Sequence, residues 1–188
     1  MLLLGDYNIL TNPWHDIGVG EDSPKIVNTV IEIPQGSKGK YELDKKSGLL
    51  RLDRVLFSSV HYPANYGFIP RTYCDDKDPL DVLVLCSIDV YPMCIVEAKV
   101  IGAMHMVDNN EQDFKIIAVA KNDESVNYID ELEQLPPHTT IEIRRFFKDY
   151  KKLEHKKVSI DKYFLSRDEA YKIIKESVLL YNKKFPNK

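Results

Sequence analysis

Residues 95–120, IVEAKVIGAMHMVDNNEQDFKIIAVA, decide the fold. Ile95 to Met106 and Phe114 to Ala120 are two strands rich in β-branched and apolar side chains. The polar tip Asp108-Asn109-Asn110-Glu111-Gln112-Asp113 joins them as a hairpin loop. A long hairpin of this kind, late in a chain whose first half also reads as strand, sets a β framework. Working outward, Val27 to Ile33 is β-branched and is ended by Pro34-Gln35-Gly36. Lys40 to Asp44 alternates, and a turn follows at Lys46-Ser47-Gly48. Leu49 to Asp53, Val55 to Val60 and the apolar run Val82 to Leu85 are further strands. Tyr62 to Pro70 reads as a loop, with two prolines and a glycine among its aromatics.

The last third changes period. Ile143, Phe146, Phe147, Tyr150 and Leu153 recur at helical spacing after Pro136-Pro137-His138-Thr139. Ser166 with Glu169 forms a capping box. Behind it Ala170, Ile173, Ile174, Ser177 and Tyr181 mark a final amphipathic helix. Short strands followed by two helices predict an α+β protein, mainly β. The expected architecture is an OB-like Greek-key β-barrel with two helices packed outside. One domain is expected over residues 1–188, with 1–20 as an N-terminal extension and 165–188 carrying the C-terminal helix.

Composition limits the function. The 188 residues suit a single core. A net charge of -3 weighs against a dedicated nucleic-acid binder. No apolar run approaches the roughly 20 residues of a membrane helix. Met1 to Asp6 is apolar but lacks the basic flank and length of a signal peptide. Cys74, Cys86 and Cys94 form no C-x-x-C pair and read as free thiols, so the expected compartment is the cytoplasm.

The chemistry concentrates in CDDKDPLDVLVL, residues 74–85. Asp78 precedes Pro79 and is therefore biased towards an extended backbone. In an extended segment Asp76 and Asp78 share a face, Lys77 points away, and Asp81 opens the buried strand. Three carboxylates then meet at one rim, where a hard oxygen-seeking cation relieves their repulsion. A solvated acidic turn is the alternative. An EF-hand fits poorly, because Asp81 and Ser87 stand where glycine and glutamate belong. Asp108 and Asp113 flank the hairpin tip, and Lys115 shares a strand face with Asp113. Lys40 and Glu42 share another face, with Glu32 upstream, and exposed cross-strand ion pairing explains them equally well. With Arg54, Tyr66, Tyr150 and Lys151 these residues make one carboxylate set and one cationic and phenolic set. A small, highly charged phosphate compound carrying metal ions needs both.

Seven blocks in order resemble the family I soluble inorganic pyrophosphatases. They are V-I-E-I-P (30–34), K-Y-E-L-D (40–44), L-D-R (52–54), Y-P-A-N-Y-G-F-I-P (62–70), D-x-D-P-L-D-V-L-V (76–84), D-x-K-I-I-A-V (113–119) and F-F-K-D-Y-K (146–151). Pro13-Trp14-His15-Asp16 and the 136–147 run look similar to the plant-type branch. The resemblance implies hydrolysis of pyrophosphate to two orthophosphates with several Mg²⁺ ions per site. It implies Asp76, Asp81, Asp108 and Asp113 as metal ligands, with Glu32 and Glu42 supporting metals. It implies Asp78 as the base for the attacking water, with Tyr66, Lys40 and Arg54 also catalytic. Lys40, Arg54, Tyr66, Lys115, Tyr150 and Lys151 would bind phosphate. Family members range from monomer to hexamer, so a homo-oligomer is compatible. No nucleic-acid or membrane partner is implied. Lys77 departs from the family pattern, in which that position is usually small, acidic or amide. Two other readings stand beside this one: an OB-fold oligonucleotide-binding module, and an enzyme of this scaffold acting on nucleotides or polyphosphate.

Overall fold

The computed structural model describes residues 12–108, 111–155 and 158–188. The apolar start Met1 to Asp6, the tip residues Asn109 and Asn110, and Lys156-Lys157 lie outside the described residues. The described residues form eight strands, β1 (Ile26–Ile33), β2 (Gly39–Leu43), β3 (Leu50–Val55), β4 (Asn65–Ile69), β5 (Leu80–Leu85), β6 (Ile95–Asp108), β7 (Glu111–Ala120) and β8 (Val158–Ile160). The described residues also form three α-helices, α1 (Pro13–Asp16), α2 (Pro137–Asp149) and α3 (Arg167–Lys184), with 3₁₀ turns at Leu132–Gln134 and Lys152–Glu154.

Five strands close into a ring, β1-β4-β5-β7-β6 and back to β1. Only the β5–β7 pairing is parallel. Closure removes sheet edges. β8 extends the far end of β6, and β2 and β3 form a separate hairpin. The OB-like barrel expected from the sequence is therefore present, with the short α1 and β8 in addition.

Alternation assigns the two faces. On β5 and β7, Leu83, Ile117 and Val119 join one buried cluster with Ile143, Phe146 and Phe147 of α2 and with Tyr150 at its C-terminal cap. Val82, Val84, Ile116 and Ala118 join another with Ala170 and Ile174 of α3. Asp81, Asp113 and Lys115 have the parity of the first cluster. The α2 face thus runs directly into a charged patch. A third cluster, Trp14, Val30, Leu43, Phe68 and Tyr181, packs α1 and α3 against β1 and β4. The capping box at α3 is complete: Glu169 Oε2 accepts from Ser166 N at 2.8 Å, and Ser166 Oγ accepts from Glu169 N.

Three expectations need correction. Asn65–Ile69, read as loop, is strand β4, and all five residues are buried. Its flanking prolines and Gly67 look like turn signals, but Gly67 serves a tight crossing with β1. Val55–Val60 is not a second strand; β3 ends at Val55 and Leu56 turns into the core. Leu153 does not continue α2, which stops at Asp149, and it is exposed on the following turn.

Gly67 marks a close approach of β4 to β1. It lies opposite Ile31, where the β1–β4 register shifts. A Cβ there would overlap the carbonyl of Val30, a backbone atom that cannot swing away. Gly67→Ala is therefore expected to destabilise the protein by ~3 kcal/mol, measured by urea denaturation.

Candidate active site

The charged patch is the wall of an open cleft of about 250 Å³. The parallel register sets its centre, because Asp81 of β5 pairs with Lys115 of β7. The Lys115 ammonium donates to Asp81 Oδ2 and, at 2.7 Å, to Asp113 Oδ1. Tyr66 Oη, from β4, donates to the same Asp81 oxygen at 2.6 Å. Asp108 comes from β6 with the parity of Met104 and Met106. Its carboxylate is met by Lys151 Nζ, which follows the end of α2. Tyr150 lies beneath that lysine, whose Nζ is 5.2 Å from the ring centroid. Its phenol is packed against Phe146 and Phe147. From the other side β2 contributes Lys40 paired with Glu42, while Glu32 of β1 forms part of the floor.

The segment carrying Asp76 and Asp78 is not extended, contrary to the sequence reading. It is a turn. Cys74 N donates to Asp78 O at 2.9 Å, and Lys77 N donates to Cys74 O at 3.0 Å. Asp76 Oδ1 accepts from Asp78 N at 3.0 Å. Lys77 takes a left-handed conformation with φ of 69°, a region that glycine and asparagine occupy more readily. The turn, and not alternation, brings both carboxylates to the cleft.

Burial and crowding set the protonation states. Burial, reinforced by Asp81 and Asp113, pushes Asp76 up to about 6. Burial also raises Asp113, although Lys115 opposes the shift. Glu32 is pushed up to about 8, chiefly by burial and against a hydrogen bond of 2.7 Å from Leu43 N. Burial alone would lower Lys115, but Asp81, Tyr66 and Asp113 hold it well above the usual lysine range. Desolvation raises Tyr66 and Tyr150, so both phenols remain protonated donors at neutral pH.

Twelve of the sequence-predicted residues line this one cleft: Glu32, Lys40, Glu42, Tyr66, Asp76, Asp78, Asp81, Asp108, Asp113, Lys115, Tyr150 and Lys151. Arg54 stands apart. It pairs with Lys40 in the β2–β3 ladder, and its Nε donates to Glu154 Oε1 at 2.7 Å. Sequence reasoning missed Glu154, Lys45 and Trp14. Lys45 leaves the β2–β3 turn to pair with Asp78, and its Nζ lies 5.5 Å from the Trp14 ring centroid. No local pattern marks these three, because each meets its partner across a long stretch of chain.

The donor set fits a hard divalent cation. It is all carboxylate oxygen on the acidic side, where burial, with repulsion between the carboxylates, raises Asp76 and Asp113. Asp108 Oδ1 is buried and accepts from no donor among the described residues. The acid side faces ammonium groups and phenols, so the cleft presents cation ligands and anion donors together.

Comparison with known proteins matches residues 29–182 to the family described as inorganic pyrophosphatase. Soluble inorganic pyrophosphatase 2 of Chlamydomonas reinhardtii is 53% identical over 93% of this chain and 91% of its own length. A soluble inorganic pyrophosphatase of Solanum tuberosum is 52% identical over 93% of this chain and 82% of its own. Among solved structures, the inorganic pyrophosphatase of Thermus thermophilus superposes with a TM-score of 0.87 at 36% identity, covering 91% of this chain and 99% of that one.

The Glu32 environment has a measurable consequence. A carboxyl raised from 4.5 to about 8 binds its proton more tightly in the folded than in the unfolded chain. Its contribution to stability is full below pH 4.5 and is lost as pH rises through 8. In EDTA-treated protein, Glu32→Gln is expected to flatten that loss and to exceed the parent in stability at pH 8.5, by urea denaturation across pH 5–9.

Proposed function

The chain belongs to the inorganic pyrophosphatase family and hydrolyses pyrophosphate to two orthophosphates, and we propose that it does so with Mg²⁺ and with Asp78 as the base. The observation that carries this reading is the single cleft in which Asp76, Asp81 and Asp113 stand against Lys40, Lys115 and Lys151. Asp76, Asp81, Asp108 and Asp113 would hold the cations, with Glu42 and Glu32 at their margin. Bound there, Mg²⁺ supplies charge neutralisation for the phosphates and makes a water more acidic.

The chain's own groups divide the remaining tasks. Asp78 is the carboxylate on the acidic turn, half-exposed and free of the Lys115 pairing. It accepts the proton of the attacking water once Lys45 moves from it towards the incoming anion. Lys115, Lys151 and Lys40 receive phosphoryl oxygens, and the protonated phenols of Tyr66 and Tyr150 donate to them. Arg54 joins them by exchanging Glu154 for a substrate oxygen. These donors stabilise the charge that develops on the leaving phosphate. No serine, cysteine or histidine is required, and no covalent enzyme intermediate forms.

An oligonucleotide-binding module on the same barrel is the weaker reading, since the acidic wall repels a phosphate backbone. No helix among the described residues is long and apolar enough to cross a membrane. The three cysteines are free thiols, which supports a reducing compartment such as the cytoplasm. We also take residues 1–188 as one inorganic pyrophosphatase domain.

Asp78→Asn tests the mechanism. The variant is expected to fold and to bind Mg²⁺, while phosphate release from pyrophosphate falls by about 10²–10⁴-fold. Near-normal release would remove Asp78 from the role of base. For the parent enzyme, release should cease with EDTA and return with added Mg²⁺.

A further inference from the structure

Between β4 and β5 the chain makes an excursion over residues 70–79, and this excursion carries Asp76 and Asp78. Thr72 sits at its neck, fully buried. Its hydroxyl donates to Ile69 O at 2.6 Å, at the end of β4. The same oxygen accepts from Leu80 N at 2.8 Å, at the start of β5. One side chain therefore ties together the two strand ends from which the excursion leaves and to which it returns. Leu80 is followed at once by Asp81. The Thr72 carbonyl is held in turn, accepting from Trp14 Nε1 at 2.8 Å. On either side, Arg71 N donates to Trp14 O at 2.9 Å and Tyr73 N donates to Ser177 O at 3.0 Å. Helices α1 and α3 thus grip the excursion immediately before the acidic turn.

We propose that Thr72 is a positioning residue for the cation site, fixing the turn carboxylates Asp76 and Asp78 relative to the strand carboxylate Asp81. The inference rests on the reading of Asp76, Asp81 and Asp113 as cation ligands. The physical reason is register between two bodies. Asp81 is fixed by the barrel ladder, whereas Asp76 and Asp78 are carried by their turn and its neck, with Lys45 pairing to Asp78 from outside it. A hydroxyl can donate to one strand end and accept from the other at the same time. Valine has the same shape and can do neither. It would leave the Ile69 carbonyl and the Leu80 amide buried without their partner, and the neck would shift to find others. Serine retains both bonds.

The test measures Mn²⁺ binding by electron paramagnetic resonance on the full chain without substrate, alongside the Mg²⁺ dependence of phosphate release. Thr72→Val is expected to weaken Mn²⁺ binding by about tenfold, as for other outer partners of metal ligands. Its half-saturating Mg²⁺ should rise in parallel, while kcat at saturating Mg²⁺ falls by much less. Thr72→Ser should bind Mn²⁺ as the parent does. Val84→Ala, in the core of the same barrel, should lose stability without losing Mn²⁺ affinity. If Thr72→Val fails to fold, Trp14→Phe, which removes the indole bond to the Thr72 carbonyl, should weaken Mn²⁺ binding in the same direction. Parent-like Mn²⁺ binding by Thr72→Val, or by Trp14→Phe in its place, overturns the inference. So does equal loss in Thr72→Val and Thr72→Ser. Absence of Mn²⁺ binding by the parent, or parent-like binding by Asp81→Asn, overturns the cation-ligand reading itself and the inference with it.

Discussion

The Lys115 ammonium, buried between Asp81 and Asp113, is the interaction on which the site depends. Carboxylates from two neighbouring strands could not share that space unpaired, since burying an uncompensated charge costs several kcal/mol. The parallel β5–β7 register places the lysine opposite Asp81, and Tyr66 closes the same oxygen from β4. Three strands of the barrel thereby converge on one carboxylate. The apolar half of that face packs under α2, and the polar half opens into the cleft. The barrel is thus both the core and the frame for the chemistry.

Five carboxylate groups of the cleft have a cationic neighbour within the chain: Lys115 at Asp81 and Asp113, Lys151 at Asp108, Lys45 at Asp78, and Lys40 at Glu42. Such a set is poised for exchange. Hard cations can take over the carboxylates while the lysines turn to the oxygens of a phosphate anion. The energy of the pairs is not lost in that exchange, because each charge finds a new partner of opposite sign.

Much of this was legible in the sequence, for identifiable reasons. The β6–β7 hairpin is read from apolar runs around a polar tip, and α3 from its capping box. The carboxylates and cations of the cleft stand out because each lies in a short block of distinctive composition. What stayed hidden depends on contacts far apart in the chain. Strand β4 was obscured by Pro63 and Pro70, which flank it, and by Gly67, which serves a close crossing with β1. The acidic turn was misread because Lys77 adopts a left-handed conformation that its side chain does not announce. Lys45, Trp14 and Thr72 carry no local signal, and only the fold brings them to the site. Arg54 was read as a cation of the set, but the fold holds it on Glu154, outside the cleft lining.

The account stands on the acidic wall being a divalent-cation site. Anomalous diffraction from crystals soaked in Mn²⁺ tests that most directly. The expected result is strong anomalous density within coordination distance of Asp76, Asp81 and Asp113. A map with no density there, from crystals that still hydrolyse pyrophosphate in Mn²⁺, would contradict it.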